Sequence, residues 1–213
     1  MFTRTVRPAV SLLLAMTVLT GIVYPLVITG IARVAFPLQA AGSLIHRDGK
    51  PIGSSLIGQN FSAPKYFWGR PSATTPQSYN GTGSTGSNLG PLNPALIDSV
   101  KAHAQALRAA DPGNTQPIPV ELVTASASGL DPEISPAAAH YQAGRVAQIR
   151  GLAPDRVEAL IAAHVQGRLL GFIGEPRINV LELNLALHVG QQLVRVAALA
   201  FRHYLSVARP ARD

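Results

Sequence analysis

An uncharged segment of 25 residues, from Pro8 to Ala32, constrains this chain more than any other feature. As a helix rising about 1.5 Å per residue it would be roughly 37 Å long, which is enough to cross a hydrocarbon core of about 30 Å. Arg4 and Arg7 precede the segment, and only Arg33 follows it closely. Because positive charge is retained on the cytoplasmic side, we expect a cytoplasmic N-terminus and a periplasmic main domain.

A cleaved signal peptide would also begin with positive charge and an apolar stretch. The apolar part of a signal peptide spans about 7–15 residues and ends at a site of the A-x-A type. Here the apolar segment is much longer, and the best candidate site, Leu38-Gln39-Ala40, matches poorly. A buried core helix would carry a polar face, which this segment lacks. We therefore predict that residues 1–33 form a cytoplasmic N-terminus and a single-pass anchor in the cell inner membrane.

Small or helix-breaking residues recur at every fourth position of the anchor. We call this set the packing stripe, and it consists of Thr17, Gly21, Pro25 and Thr29. Small residues allow two transmembrane helices to approach closely, so the stripe is a candidate surface for a partner helix. Glycine and proline are also common in membrane spans without any such role. Both interpretations remain open at this point.

The net charge of +7 arises mainly at the two ends of the chain. Three basic residues lie up to Arg33, and four lie after His188 together with one acid. The chain has 18 basic and 11 acidic residues in all, so residues 34–188 contain 11 basic and 10 acidic residues. Nucleic-acid binding requires a basic patch on the folded surface. We therefore expect a membrane but no nucleic acid among the partners, and the absence of cysteine excludes disulfides.

Residues 34–188 have the pattern of a single mixed helix and strand domain, of the α+β class. Asp48-Gly49 between apolar residues predicts a tight β-hairpin turn. Asn93 before Pro94 and Ser135 before Pro136 are N-cap signals for helices. The apolar patterns predict further helices and strands, which are helices at 94–110, 136–150, 154–167 and from 179 onward, and strands at 120–124 and 169–173.

Residues 189–213 form a basic extension in which three arginines, Arg195, Arg202 and Arg209, lie seven positions apart. This spacing places them on one face of a helix. A basic amphipathic helix can lie on an anionic membrane surface, although a simply solvated face is the alternative.

Catalytic signals are weak throughout the chain. The segment from Gly81 to Gly86 reads G-x-G-x-x-G, but no strand leads into it and no helix directly follows, so a nucleotide site is not expected. Ser126 and Ser128 are not in a G-x-S-x-G elbow. The six histidines lack metal-binding spacing. We predict no catalytic residue and no metal site.

An aromatic cluster lies within a long segment rich in Gly, Pro, Ser, Thr and Asn. Its side chains, Tyr66, Phe67, Trp68 and Arg70, have the composition of an interface hot spot. The same composition could serve to hold the loop against its own domain. These two roles remain open from the sequence.

Four segments carry a recognisable family pattern. They are IGQNFSAPKYFWGRPSATT (Ile57–Thr75), GSNLGPLNPAL (Gly86–Leu96), PVELVTASASGLDPEISPAAA (Pro119–Ala139) and GEPRINVLELNLAL (Gly174–Leu187). In this order they resemble the C subunit of the bacterial Kdp potassium-transporting ATPase, from the N-terminal span to about His188. Against the usual pattern, Glu133 replaces a histidine and His188 replaces an aspartate.

The resemblance implies a non-catalytic, single-span subunit of an ATP-driven potassium uptake pump. Its implied partners are a channel-like potassium-conducting subunit and a P-type ATPase subunit, and the complex rather than this chain handles ATP and potassium. The implied role is to assist assembly and to raise the ATP affinity of the pump subunit. The recognised segments add Asn88, Asn93 and Asp131 to the candidate interface.

The topology derived from charge leaves only about seven residues on the side of the membrane where ATP is present. We therefore expect any effect on ATP affinity to be indirect. Two other classes of function remain as alternatives, which are a membrane-anchored periplasmic hydrolase and a free-standing envelope binding domain.

Overall fold

The computed structural model describes residues 2–188. They begin with one long helical segment that comprises α1 (Phe2–Val18), a π-helical turn (Leu19–Val23) and α2 (Tyr24–Ala35). The 31-residue helical segment Thr5–Ala35 is long and apolar enough to cross a membrane, and none of its most apolar stretch is buried. A core helix of a soluble domain would be covered by other residues. The helix is therefore consistent with a single-pass membrane protein.

The π-helical turn has a local cause in the following proline. Pro25 has no backbone N–H, and in a regular α-helix its ring would clash with the carbonyl four residues earlier, which belongs to Gly21. The Tyr24 N–H instead donates to the carbonyl of Leu19, five residues earlier. The helix thus takes up one extra residue immediately before the proline.

A short β-hairpin follows the anchor and the single turn of α3 (Pro37–Ala40). Its strands are β1 (Leu44–Arg47) and β2 (Lys50–Ser54), which pair antiparallel. The turn residues Asp48 and Gly49 have φ angles of 51° and 74°, as a tight hairpin with two left-handed positions requires. The predicted hairpin is confirmed.

The chain divides into two compact units at the boundary between Ser54 and Ser55. The hairpin therefore belongs to the same unit as the anchor, although the sequence groups it with the rest of residues 34–188. The membrane-related boundaries at residues 33 and 188 stay predictions.

The second unit begins with residues 55–93, which contain neither helix nor strand. Its regular elements are α4 (Pro94–Ala110), β3 (Glu133–Ile134), α5 (Pro136–Arg150), α6 (Pro154–His164), β4 (Ile178–Asn179) and α7, which covers residues 180–188 of the described chain. The predicted mixture of helices and strands is confirmed. The basic extension at 189–213 lies outside the described residues.

Side-chain caps begin two helices at the predicted residues. The Asn93 side chain accepts the Ala95 N–H at 3.0 Å at the start of α4, and Ser135 Oγ accepts the Ala138 N–H at 3.2 Å at the start of α5. Each cap satisfies one of the backbone donors that a helix N-terminus leaves unpaired.

The core of the second unit forms where α5, α6 and α7 present apolar side chains to one another and to the loop of residues 55–93. Its fully covered members include Val146, Val157, Ile161, Leu183 and Leu187. The two-residue strands β3 and β4 pair antiparallel, with Ile134 opposite Ile178. This short ladder joins the segment before α5 to the segment before α7.

Three sequence predictions are wrong. Residues 120–124 are not a strand, because Val120–Leu122 form a 3₁₀ turn that Thr124 closes by donating from Oγ1 to the Val120 carbonyl at 2.8 Å. Residues 169–173 are a tight turn with one isolated bridge between Leu169 and Ile173. Helix α6 ends at His164 and not at residue 167 as predicted, and Val165 beyond its end is 37% exposed.

Candidate functional site

The aromatic loop is ordered by side-chain amides that bind its backbone. Asn184 on α7 accepts the Phe67 N–H at 2.9 Å and donates to the Phe67 carbonyl at 3.0 Å. Gln142 on α5 does the same for Trp68, accepting at 2.8 Å and donating at 3.1 Å. Two carboxamides therefore replace the neighbouring strand that this extended segment lacks, and they satisfy backbone groups that would be costly to bury unpaired.

Two arginines of α5 extend this attachment. Arg145 donates to the carbonyls of Pro64 and Tyr66 and to Gln142 Oε1, while its guanidinium lies 4.6 Å from the centre of the Trp68 ring. Burial lowers the pKa of Arg145 to about 10, so the side chain is still charged at neutral pH. Arg150 donates to the Lys65 carbonyl at 2.6 Å and lies 5.0 Å from the Tyr66 ring centre. The arginines thus hold the loop by hydrogen bonds and cation–π contacts.

A second set of contacts fixes the loop around Arg70. Its guanidinium pairs with Asp131 at 3.1 Å, and its backbone carbonyl accepts the Tyr79 hydroxyl at 2.6 Å. Burial, and secondarily the Asp131 charge, raises the pKa of Tyr79 to about 12. Tyr79 therefore remains a neutral hydrogen-bond donor at physiological pH.

The candidate interface residues have different surroundings. Phe67 is 0% exposed, so the prediction that its side chain offers an interface surface is corrected, because the core already covers it. Asn93 caps α4, and Asp131 is used by Arg70. Asn88 is exposed and its backbone is left-handed, with a φ of 51°.

Tyr66, Trp68 and Arg70 are each partly buried, so they retain some accessible surface. Their participation in an interface, together with that of Asn88, Asn93 and Asp131, stays a prediction. The structure contains the other role that the sequence left open, because side chains of the same domain bind the backbone of the aromatic loop.

The packing stripe lies on the anchor. Thr17, Pro25 and Thr29 are exposed, and a Cβ added at Gly21 would meet no atom within 4 Å. The first unit thus leaves this face uncovered by any residue of its own among those described.

The residues that hold the loop were missed by sequence reasoning. Gln142 and Arg145 lie on a helix whose polar positions resemble a solvated face, yet they are 1% and 3% exposed. Between Leu181 and Leu187 the sequence has two polar residues, Glu182 and Asn184, and Asn184 is the buried one. A polar residue within this leucine-rich segment was the sequence signal that could have revealed the contact, since a buried amide requires partners.

Cofactor and metal signals remain weak in the structure. Within residues 2–188, no group of three or more His, Asp or Glu side chains could hold a metal ion. The Gly81–Gly86 segment is a loop whose Thr85 N–H donates to the Ser128 carbonyl at 3.0 Å. The next helix begins only at Pro94, so no helix N-terminus is presented to a phosphate. This geometry does not resemble a dinucleotide site.

Comparison with known proteins finds relatives along almost the whole chain. The family model described as the c chain of the K⁺-transporting ATPase, KdpC, matches residues 6–189. The chain belongs to the KdpC family. The potassium-transporting ATPase KdpC subunit of Variovorax paradoxus (strain S110) is 65% identical over 182 residues, which cover 85% of this chain and 94% of the relative. That of Dechloromonas aromatica (strain RCB) is 65% identical over 181 residues, covering 85% and 95%. The resemblance predicted from the four segments is confirmed.

Three of the four segments from which the resemblance was predicted meet in this site. The first contains Phe67, the third contains Asp131, and the fourth contains Asn184. At the two positions predicted to depart from the resemblance, Glu133 accepts from Arg177 Nε at 2.8 Å, and His188 Nε2 lies 3.1 Å from the Tyr66 hydroxyl. In this chain, residues of these three segments thus hold the aromatic loop against its own domain.

Proposed function

We propose that this chain is a non-catalytic accessory subunit of a potassium-transporting ATPase complex. Membership of the KdpC family supports the complex, and the exposed apolar helix Thr5–Ala35 supports a single-pass anchor. Arg4 and Arg7 precede the uncharged segment Pro8–Ala32, and only Arg33 follows it closely, which supports a cell inner membrane location with the N-terminus in the cytoplasm and the main domain in the periplasm. The partners in this proposal are a channel-like potassium-conducting subunit and a P-type ATPase subunit.

The main support for the proposed assembly is that the π-helical turn brings the residues of the packing stripe towards one side of the helix. Thr17 and Thr29 are twelve residues apart, which would rotate them by about 120° around a regular α-helix at about 100° per residue. The extra residue of one π turn removes about 100° of this rotation. The four stripe residues therefore lie along nearly one side of the helix, where a partner helix can contact all of them.

A pair of glycines in the same helix provides the test. Gly21 belongs to the stripe and Gly30 follows its last member by one position, about 100° away around the helix. Outside the backbone of its own helical turn, a Cβ at either position would meet no atom within 4 Å. We expect Gly21→Leu to reduce co-purification of the pump and channel subunits strongly, whereas Gly30→Leu leaves it near the wild-type level. Equal co-purification of both variants would remove the stripe from the interface.

In this proposal the chain assists assembly and raises the ATP affinity of the pump subunit indirectly. The charge pattern leaves only the residues before the anchor in the cytoplasm, and ATP is confined to that side. The chain lacks cysteine, so Leu92→Cys, at a position 93% exposed, introduces a single thiol into the main domain. We expect a membrane-impermeant maleimide to label this thiol in cells with a permeabilised outer membrane and an intact inner membrane. Labelling only after the inner membrane is opened would reverse the topology.

The alternative of a periplasmic hydrolase gains no support from the candidate nucleophiles. Ser126 is 3% exposed, and the Ser128 hydroxyl accepts the Leu130 N–H at 3.1 Å. An active serine needs an adjacent base and access to substrate. We expect no labelling of either serine by a serine-directed probe, and labelling that Ser128→Ala abolishes would revive the hydrolase.

A further inference from the structure

A turn between α6 and β4 presents four large apolar side chains to the outside of the second unit. We call residues 169–173 the apolar tip. Its exposed side chains are Leu169 at 64%, Leu170 at 76%, Phe172 at 72% and Ile173 at 47%. Single exposed leucines are ordinary, but contiguous apolar groups of this kind mark contact surfaces. The tip was predicted as a strand and plays no part in the site described above.

The apolar tip is held outward by its own backbone. Leu169 and Ile173 exchange both hydrogen bonds of a bridge, at 2.9 and 3.0 Å, and the Gly171 N–H donates to the Arg168 carbonyl at 3.1 Å. A second bridge between Gln166 and Arg177 closes the base. Leu170 has a φ of 54°, a left-handed conformation that bulky residues rarely adopt. Such a conformation persists only where the surroundings impose it, and it is typical of functional turns.

The charges around the apolar tip lie at its base and are paired. Arg168 binds Glu175 at 2.8 Å, and Arg177 binds Glu133 at 2.8 Å. The five residues of the tip carry no charge. A protrusion with an uncharged tip and a charged base suits the boundary between lipid acyl chains and headgroups, with the tip on the acyl-chain side. The tip also lacks the Trp, Tyr and Arg side chains that dominate protein–protein hot spots, which favours lipid over a protein pocket.

The covalent connection keeps the second unit near the anchor. Helix α2 ends at Ala35, and Leu44 pairs with Ser54 across the hairpin. Only eight residues separate Ala35 from Leu44, so the length of the chain allows Ser55 to lie no more than roughly 40 Å from the end of the anchor. A domain tethered this closely meets the membrane surface at a high effective concentration, and a small apolar contact is then sufficient.

We propose that the apolar tip inserts into the lipid headgroup region of the membrane that anchors the chain. The tip would give the second unit a second membrane attachment besides the helix. This inference requires the anchor alone, and it is independent of assembly with any other subunit.

Spin labelling tests the inference directly, because any introduced cysteine is the single thiol of the chain. Phe172→Cys and Leu170→Cys each leave three apolar residues of the tip in place. Leu92→Cys, in the same unit and 93% exposed, is the matched control. The full chain carries a nitroxide in nanodiscs of phosphatidylethanolamine and phosphatidylglycerol. Collision with oxygen, which concentrates in lipid, is compared with collision with a water-soluble nickel complex.

We expect the label at residue 172 or 170 to collide several-fold less with nickel than the label at residue 92, and several-fold more with oxygen. Nickel collision equal to that at residue 92 would place the tip in water and overturn the inference. Low collision with both reagents would mean that protein covers the tip, which also overturns it in favour of a second copy of the chain.

A second variant separates lipid contact from loss of folding. Leu170→Ser combined with Phe172→Ser, labelled at Ile173→Cys, should regain nickel collision while the unfolding midpoint of the chain stays close to that of Ile173→Cys alone. Continued protection of the label in this variant would contradict insertion driven by the apolar side chains.

Discussion

The side-chain amide of Asn184 forms two hydrogen bonds with the backbone of Phe67, at 2.9 and 3.0 Å, across 117 positions of sequence. Both residues are almost fully buried, with exposures of 1% and 0%. The amide thus provides what a neighbouring strand would provide, one donor and one acceptor in register. The irregular loop can enter the core because this pairing removes the cost of burying its backbone.

Replacing Asn184 by leucine should therefore destabilise the second unit strongly. Asn184→Leu retains a side chain of similar size but leaves the Phe67 N–H and carbonyl unpaired, and each unpaired buried group costs about 1–3 kcal/mol. We expect a loss of about 2–5 kcal/mol in the free energy of unfolding, measured by urea titration of the full chain in mild detergent. Asn80→Leu removes an amide whose hydrogen bonds, to Thr75 and Thr82, are all exposed, and it should cost under about 1 kcal/mol. Similar losses in both variants would contradict the role assigned to Asn184.

Arg145→Lys should loosen the loop around Trp68 without removing the positive charge. Lysine cannot reproduce the planar fork that reaches Gln142 and the Tyr66 carbonyl. Trp68 is the single tryptophan of the chain, so its fluorescence reports this site alone. We expect a red-shifted emission and a loss of about 1–3 kcal/mol in unfolding free energy. Arg108→Lys, on the exposed part of α4, is the control and should leave the emission unchanged.

Two glycines of the G-x-G-x-x-G segment should respond differently to alanine. A Cβ at Gly86 would lie 2.7 Å from the Ala127 carbonyl oxygen, so the backbone would have to move. At Gly83 the nearest atom is the Asn80 side-chain nitrogen at 3.4 Å, which can adjust. We expect Gly86→Ala to cost about 1–3 kcal/mol in thermal unfolding and Gly83→Ala to be near neutral. Equal losses in the two variants would show that the backbone at Gly86 tolerates a Cβ beside Ala127.

The raised pKa of Tyr79 predicts a loss of stability at alkaline pH. Its ordinary pKa is 10.0 and its pKa in the folded chain is about 12, so the folded state favours the neutral phenol. The resulting stabilisation is complete below pH 10 and is lost as the pH rises through about 12.

The variant Tyr79→Phe cannot ionise and isolates this contribution. The advantage of the unmodified chain over Tyr79→Phe in unfolding free energy should shrink by roughly 2 kcal/mol between pH 10 and 12. The contribution of Arg145, whose pKa is lowered, is common to both chains and cancels. In the tyrosinate absorbance, the difference between the two chains should titrate near pH 12. A difference that titrates near pH 10 would show that Tyr79 is exposed to water.

Local signals in the sequence predicted the elements whose causes are local. The caps Asn93 and Ser135 start their helices, and Asp48-Gly49 forms the hairpin turn, because each acts on backbone atoms within three residues. The strand predictions at 120–124 and 169–173 were wrong for a related reason. A short apolar segment becomes a strand only if it finds a partner, and its composition does not show whether one is available.

The sequence alone determined the long apolar N-terminal helix, the starts of two helices, the hairpin and the family, because a long uncharged segment, capping residues and four ordered motifs are all readable along the chain. The tertiary structure decided that the aromatic loop is held by Asn184, Gln142 and Arg145, and that Phe67 is covered instead of exposed. It also decided that residues 169–173 project outward. These outcomes depend on hydrogen bonds and packing between residues far apart in sequence, and such contacts form only when folding brings those distant segments together.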